Sequence, residues 1–137
     1  MEQRVTFITL AVADLDRTRA FYVDGLGWTP ELFVPGDVLM IRAGAKVMLS
    51  FWVDTAFEAE VGTIRRGDGV APITLSHNVL TEPEVDEILE LAASVGAETV
   101  GQAQHREWGG YTGYFADPDG FRWEIATNPE MDELARP

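Results

Sequence analysis

Val5-Thr6-Phe7-Ile8-Thr9-Leu10-Ala11-Val12, running on through Asp14-Leu15 and Ala20-Phe21-Tyr22 to Gly25-Leu26-Gly27-Trp28, is the stretch on which the fold reading turns. Its first eight residues alternate in size and polarity and are rich in β-branched side chains, which marks a strand. Asp14 then has the side chain to cap a helix that carries Leu15, Thr18 and Tyr22 on one side and stops at Gly25. Three short strands are expected next, over residues 28–34, 38–42 and 46–53, separated by Pro35-Gly36-Asp37 and Ala43-Gly44-Ala45. The order is βαβββ.

A connector over residues 54–70 holds Gly62, Gly67 and Gly69 and has room for a short helix around Phe57 to Val61. Beyond it the order repeats. Ile73 to Val79 is a strand, and Thr81-Glu82-Pro83-Glu84 has the form of a capping box. Val85, Ile88, Leu89, Ala92 and Ala93 make an apolar helical stripe that Gly96 ends. Strands are expected at 98–102, near 108–116 and at 121–127, with Asp117-Pro118-Asp119-Gly120 as the last turn. Setting Val12 on Val79 superposes the two helix caps, Asp14 and Thr81. Setting Gly44 on Gly120 places Lys46 on Arg122 and Met48 on Glu124. The expected fold class is therefore α+β, with two tandem βαβββ modules, about 4–53 and 71–128, in a single domain of residues 1–137 with a polar tail over 129–137.

Composition narrows the function. The 137 residues carry 10 basic and 23 acidic side chains, a net charge of −13, and 46% are hydrophobic. A chain of this size buries roughly two-thirds of its unfolded surface, enough for a real core. No run approaches the ~20 apolar residues of a membrane helix, and no signal-peptide pattern opens the chain, so a cytoplasmic protein without a membrane partner is expected. The acidic balance opposes nucleic-acid binding, Arg65-Arg66 being the only basic pair. The absence of cysteine removes thiolate nucleophiles, iron–sulfur ligation and Cys-based zinc sites. Oxygen and imidazole ligands remain.

The run from Ile8 to Trp28, together with Tyr114-Phe115-Ala116-Asp117-Pro118-Asp119-Gly120-Phe121-Arg122-Trp123-Glu124-Ile125, resembles the vicinal oxygen chelate superfamily, the group of glyoxalases, bleomycin-resistance proteins and ring-cleaving dioxygenases. The resemblance spans about residues 4 to 128. It implies an open, cup-shaped sheet with helices on the outer face, a small-molecule ligand inside, and a homodimer. It also implies metal-ligand positions at Phe7, Met48, Thr74 and Glu124, of which only Glu124 binds a divalent ion strongly. No cofactor is therefore expected, with a divalent metal as the alternative.

Strand alternation directs Phe7, Thr9 and Ala11, then Met48, Ser50 and Trp52, and Arg122, Glu124 and Ala126 into the cup. Thr74, Ser76 and Asn78 join them. Pairing across the last turn is expected to set Phe115 opposite Arg122, Gly113 opposite Glu124 and Tyr111 opposite Ala126, so that Gly113 leaves room above the carboxylate. Glu124 is a ligand-binding carboxylate or general base on one reading, and the partner of Arg122 or Arg42 on the other. His105, in Gln104-His105-Arg106-Glu107-Trp108-Gly109-Gly110, is a candidate acid or base against an inert exposed side chain. His77 is expected on the helix side as a core or interface imidazole. Trp52, Trp108 and Tyr111 offer rings to a flat or cationic ligand. Two functions follow: a metal-independent protein that binds a cationic or aromatic molecule, similar to bleomycin-resistance proteins, or a lyase, isomerase or dioxygenase using Glu124 with or without a metal. A scaffold-like dimer with a vestigial pocket is a third.

Overall fold

The computed structural model describes residues 1–136; the last residue of the expected domain and tail, Pro137, lies outside the described residues. Two compact units divide the chain, Met1–Asp68 and the remainder from Gly69, so the boundary falls inside the expected connector.

In the first unit, β1 (Phe7–Val12) runs parallel to β4 (Met48–Val53), and β3 (Val38–Arg42) and β2 (Pro30–Val34) continue antiparallel in the order β1-β4-β3-β2. Helix α1 (Leu15–Arg19) starts at Asp14, whose Oδ1 accepts from the Arg17 N–H at 3.1 Å, and it widens into a π-helical stretch over Ala20–Gly25. The expected single helix to Gly25 is thus two helical forms in series. Consecutive Phe21 and Tyr22 both reach the core. The Tyr22 ring lies 4.5 Å from that of Phe51, which fixes the side of the sheet that α1 covers. Helix α2 (Asp54–Glu60) opens the connector, and Arg66 pairs back to Asp54 at 3.1 Å.

The second unit repeats the plan. β5 (Thr74–Asn78) is parallel to β9 (Arg122–Thr127), and β9 pairs with β8 (Tyr111–Ala116). The strand expected over 98–102 is shortened to β6 (Glu98–Thr99), and a further short strand, β7 (Gln104–His105), follows it outside that range; both pair with β8. Gly101, at φ +83°, turns the chain out of the ladder between them. Helix α3 (Glu82–Ser94) carries the expected capping box between Thr81 and Glu84 and buries Val85 and Ala92. A 3-10 segment, Pro129–Ala135, follows Asn128. Both sheets are open-edged, and each has a helix on one face.

Two registers correct the expected ones. The last hairpin of each unit closes with the same bond, Ala43 N–H to the Val47 carbonyl at 2.8 Å and Asp117 N–H to the Phe121 carbonyl at 3.0 Å. Arg42 faces Met48, and Ala116 faces Arg122. Met48 therefore corresponds to Arg122, and Ser50 to Glu124, two residues away from the superposition of Gly44 on Gly120. Both glycines have positive φ, +81° and +88°, but Gly44 is the second residue of its loop and Gly120 the fourth. In the second loop, Asp117 Oδ1 accepts from the N–H groups of Asp119 and Phe121, and this Asx turn moves the left-handed residue toward the end of the loop.

The second correction lies within the hairpin β8–β9. Tyr114, not Gly113, stands opposite Glu124; Gly113 faces Ile125 and Tyr111 faces Thr127. The five-residue loop 117–121 sets this, because Ala116 rather than Phe115 is the last residue paired with Arg122. The one-residue slip moves every β8 side chain to the other sheet face.

Candidate functional site on the second sheet

Glu124 sits mid-strand on β9, on the sheet face turned away from α3. Its partners are hydroxyls, where the expected alternative was an arginine. Ser76 Oγ donates to Oε2 at 2.9 Å and Tyr114 Oη donates to Oε1 at 2.6 Å. The registers explain both: Ser76 is the β5 residue opposite Glu124 and Tyr114 is the β8 residue opposite it. A half-buried carboxylate is stabilised by such donors. The bond to Glu124, then burial, then the charge of Glu124 push the Tyr114 phenol above its ordinary value, while Arg106 pulls the other way.

Arg106 belongs to the same face. Its Nε donates to Thr112 Oγ1 at 2.6 Å, and its guanidinium carbon lies 5.8 Å from the centre of the Tyr114 ring. Thr112 is fully buried. The cluster is thus Ser76, Glu124, Tyr114, Arg106 and Thr112, drawn from three strands and the loop after β7. Arg42 pairs instead with Glu31 at 2.6 Å in the first unit.

The other expected site residues divide by face. In the first unit Phe7 stands opposite Met48, Thr9 opposite Ser50 and Ala11 opposite Trp52, so Phe7, Thr9, Met48 and Trp52 share the face turned away from Tyr22, as expected. In the second unit Thr74 stands opposite Arg122, sharing a face with Ser76 and Glu124.

Gly113 and Tyr111 do not share that face, which corrects their placement. A Cβ on Gly113 would meet Leu89 Cδ1 of α3 at 2.3 Å, and Tyr111 Oη donates to Asp86 of α3 at 3.0 Å. His105 follows Tyr111 to the helix side, its ring 5.0 Å from that of Tyr111 and its Nε2 3.7 Å from Glu82. Glu124 and His105 are therefore on opposite faces of one sheet and do not form an acid–base pair. His77 is opposite Ile125, on the helix-side parity as expected, yet exposed on the edge strand β5 rather than in the core. Trp108 is half exposed and folds over Gly110, where a Cβ would meet its ring at 1.8 Å; only glycine admits the indole there. Tyr114, Thr112 and Arg106 were not among the expected site residues. The register slip hid the first two, while Arg106 stood in the quoted loop with no visible partner.

Donor chemistry tests the fit of a chelated divalent ion. Phe7 offers no lone pair, Met48 only a soft thioether, and Thr74 a neutral hydroxyl. The corrected equivalent of Glu124, Ser50, adds another neutral hydroxyl. Among the described residues no group of three His, Cys, Asp or Glu side chains is placed to hold a metal. These residues do not fit the ion.

A family model described as the Glyoxalase/Bleomycin resistance protein/Dioxygenase superfamily matches residues 4–125. The chain belongs to this superfamily. Among solved structures, a glyoxalase-related enzyme from Fulvimarina pelagi is 34% identical with a TM-score of 0.84, over 93% of this chain and 90% of that one. A glyoxalase/bleomycin resistance protein/dioxygenase from Nocardioides is 21% identical with a TM-score of 0.77, over 93% and 84%. A lactoylglutathione lyase from Agrobacterium tumefaciens is 23% identical with a TM-score of 0.72, over 96% and 98%. The last two show the shared fold alone. No curated protein matches the chain. In this superfamily member, no described helix is long and apolar enough to cross a membrane.

Proposed function

We propose that this superfamily member binds a small aromatic molecule bearing a cationic group, without a chelated divalent metal, and that Glu124 receives the cation. The observation that carries this reading is the Ser76–Glu124–Tyr114 hydrogen-bonded set. Both hydroxyls spend their protons on Glu124, which leaves a negative carboxylate on this face, and an ammonium or amidinium is the complementary group. The net charge of −13 favours the approach of cations. A homodimer goes with this reading, as the resemblance implies, and so does the cytoplasmic location expected from the sequence. Calorimetric titration with a panel of cationic aromatics tests it: saturable binding is expected, and binding confined to acids or thiols overturns the ligand class.

A second reading, a lyase, isomerase or dioxygenase using Glu124, is favoured by the description of the 34% identical structure as an enzyme. Metal analysis of the purified protein separates the metal-dependent form of this reading from the first. Stoichiometric nickel, zinc, iron or manganese supports the enzymatic reading and removes the first.

A further inference from the structure

Glu124 is one pole of its sheet face, and Arg106 is the other. Among the described residues Arg4 pairs with Glu2, Arg19 with Asp24, Arg42 with Glu31 and Arg66 with Asp54 and Glu58. Arg106 is in no such pair. Among the described residues its side chain meets only Thr112 Oγ1 and the Tyr114 ring, although the chain has 23 acidic residues against 10 basic ones. The Nε bond and the ring fix the plane of the guanidinium, and the two terminal NH2 groups remain as a preset fork of donors. Such a fork matches the two oxygens of a carboxylate or phosphate. Because its entropy is already spent on the Nε bond and the ring, little ordering opposes binding.

Arg122 adds a second positive charge to this face. It stands opposite Thr74 and Ala116, two residues from Glu124 on the same strand, and has no carboxylate partner among the described residues. Glu98, opposite Ala116 on β6, is a further acid of the face. The surface is therefore bipolar, with Tyr114 between its poles: the phenol oxygen bonds to Glu124, and the ring lies under Arg106.

We propose that Arg106 anchors an anionic group of the same small molecule whose cation meets Glu124, so that the ligand is a zwitterion carrying an amine and a carboxylate or phosphate. This rests on the cation reading of Glu124 and adds a requirement to it. The test uses matched series in which one ring carries the amine alone, the acid alone, or both: phenethylamine, 3-phenylpropanoate and phenylalanine, and the corresponding indole compounds, titrated calorimetrically into the full chain. The zwitterions are expected to bind about ten-fold tighter than the amines, a gap of roughly 1.4 kcal/mol. Arg106→Gln is expected to erase that gap. Arg106→Lys keeps the charge without the fork and is expected to restore only part of it. Amines that bind as tightly as the zwitterions overturn the proposal and leave the cation reading standing, as does a gap that survives Arg106→Gln. Binding of the acids alone overturns the cation reading, and absence of binding across both series overturns both. Should Arg106→Gln fail to fold, Arg106→Lys carries the same test, and amines that match the zwitterions on the unaltered chain overturn the proposal by themselves.

Discussion

Tyr114 and Glu124 are joined by one short hydrogen bond at the candidate site, and each can be tested separately. The phenol is held in its neutral form by Glu124, so its proton leaves above the ordinary tyrosine range. The sign follows from linkage. A folded-state value raised above the unfolded one gives stability that is fully present below about pH 10 and is lost as pH rises through the folded value. Phenolate absorbance followed against pH should show a late-titrating tyrosine that disappears in Tyr114→Phe. Tyr111, raised chiefly by its bond to Asp86, should remain in that variant. Persistence of the same late steps in Tyr114→Phe would contradict the Tyr114–Glu124 bond. Glu124→Gln keeps the shape and removes the charge. It should weaken amine binding by roughly ten- to a hundred-fold, the worth of a charge-assisted hydrogen bond, with little change in melting temperature.

At the scale of elements, the packing of α3 on β8 depends on the missing side chain of Gly113. Leu89 Cδ1 and Ala103 occupy the space a Cβ would take, at 2.3 and 3.1 Å. Gly113→Ala should therefore destabilise by about 1–3 kcal/mol through overpacking, measured by urea denaturation. An unchanged midpoint would show that the helix is free to move away. The same helix start was readable in advance: Thr81-Glu82-Pro83-Glu84 spells a capping box, and Thr81 N–H and Oγ both reach Glu84 at 2.8 Å. The strand sequence and the βαβββ order were readable for the same reason, since local periodicity and turn residues determine them. Register was not. It depends on how many residues the loop 117–121 leaves unpaired, and an Asx turn and a Gly-led turn of equal length carry their glycines at different places. That one residue concealed Tyr114 and placed Gly113 beside the carboxylate. Arg106 was illegible for another reason: its role depends on a threonine and a tyrosine on the next strand.

For the whole molecule, the repeat of one βαβββ plan in two units of a superfamily member carries a thermodynamic expectation. A unit of about 68 residues has limited core of its own, and the reading of residues 1–137 as a single domain requires the two to unfold together. Calorimetry should then give one transition whose calorimetric and van't Hoff enthalpies agree; two resolved transitions would make the units independent. The acidic balance of −13 should also make the proposed amine association salt-sensitive, faster at low ionic strength.

The most direct measurement is a tryptophan-fluorescence titration of chelator-treated protein with phenethylamine and phenylalanine, repeated on Glu124→Gln and after adding back nickel, zinc, iron or manganese. Saturable binding that survives chelation, ignores the added metals and is lost with the Glu124 charge is the expected result. Binding that appears only with a restored metal, or that persists undiminished in Glu124→Gln, would contradict a metal-independent site centred on this carboxylate.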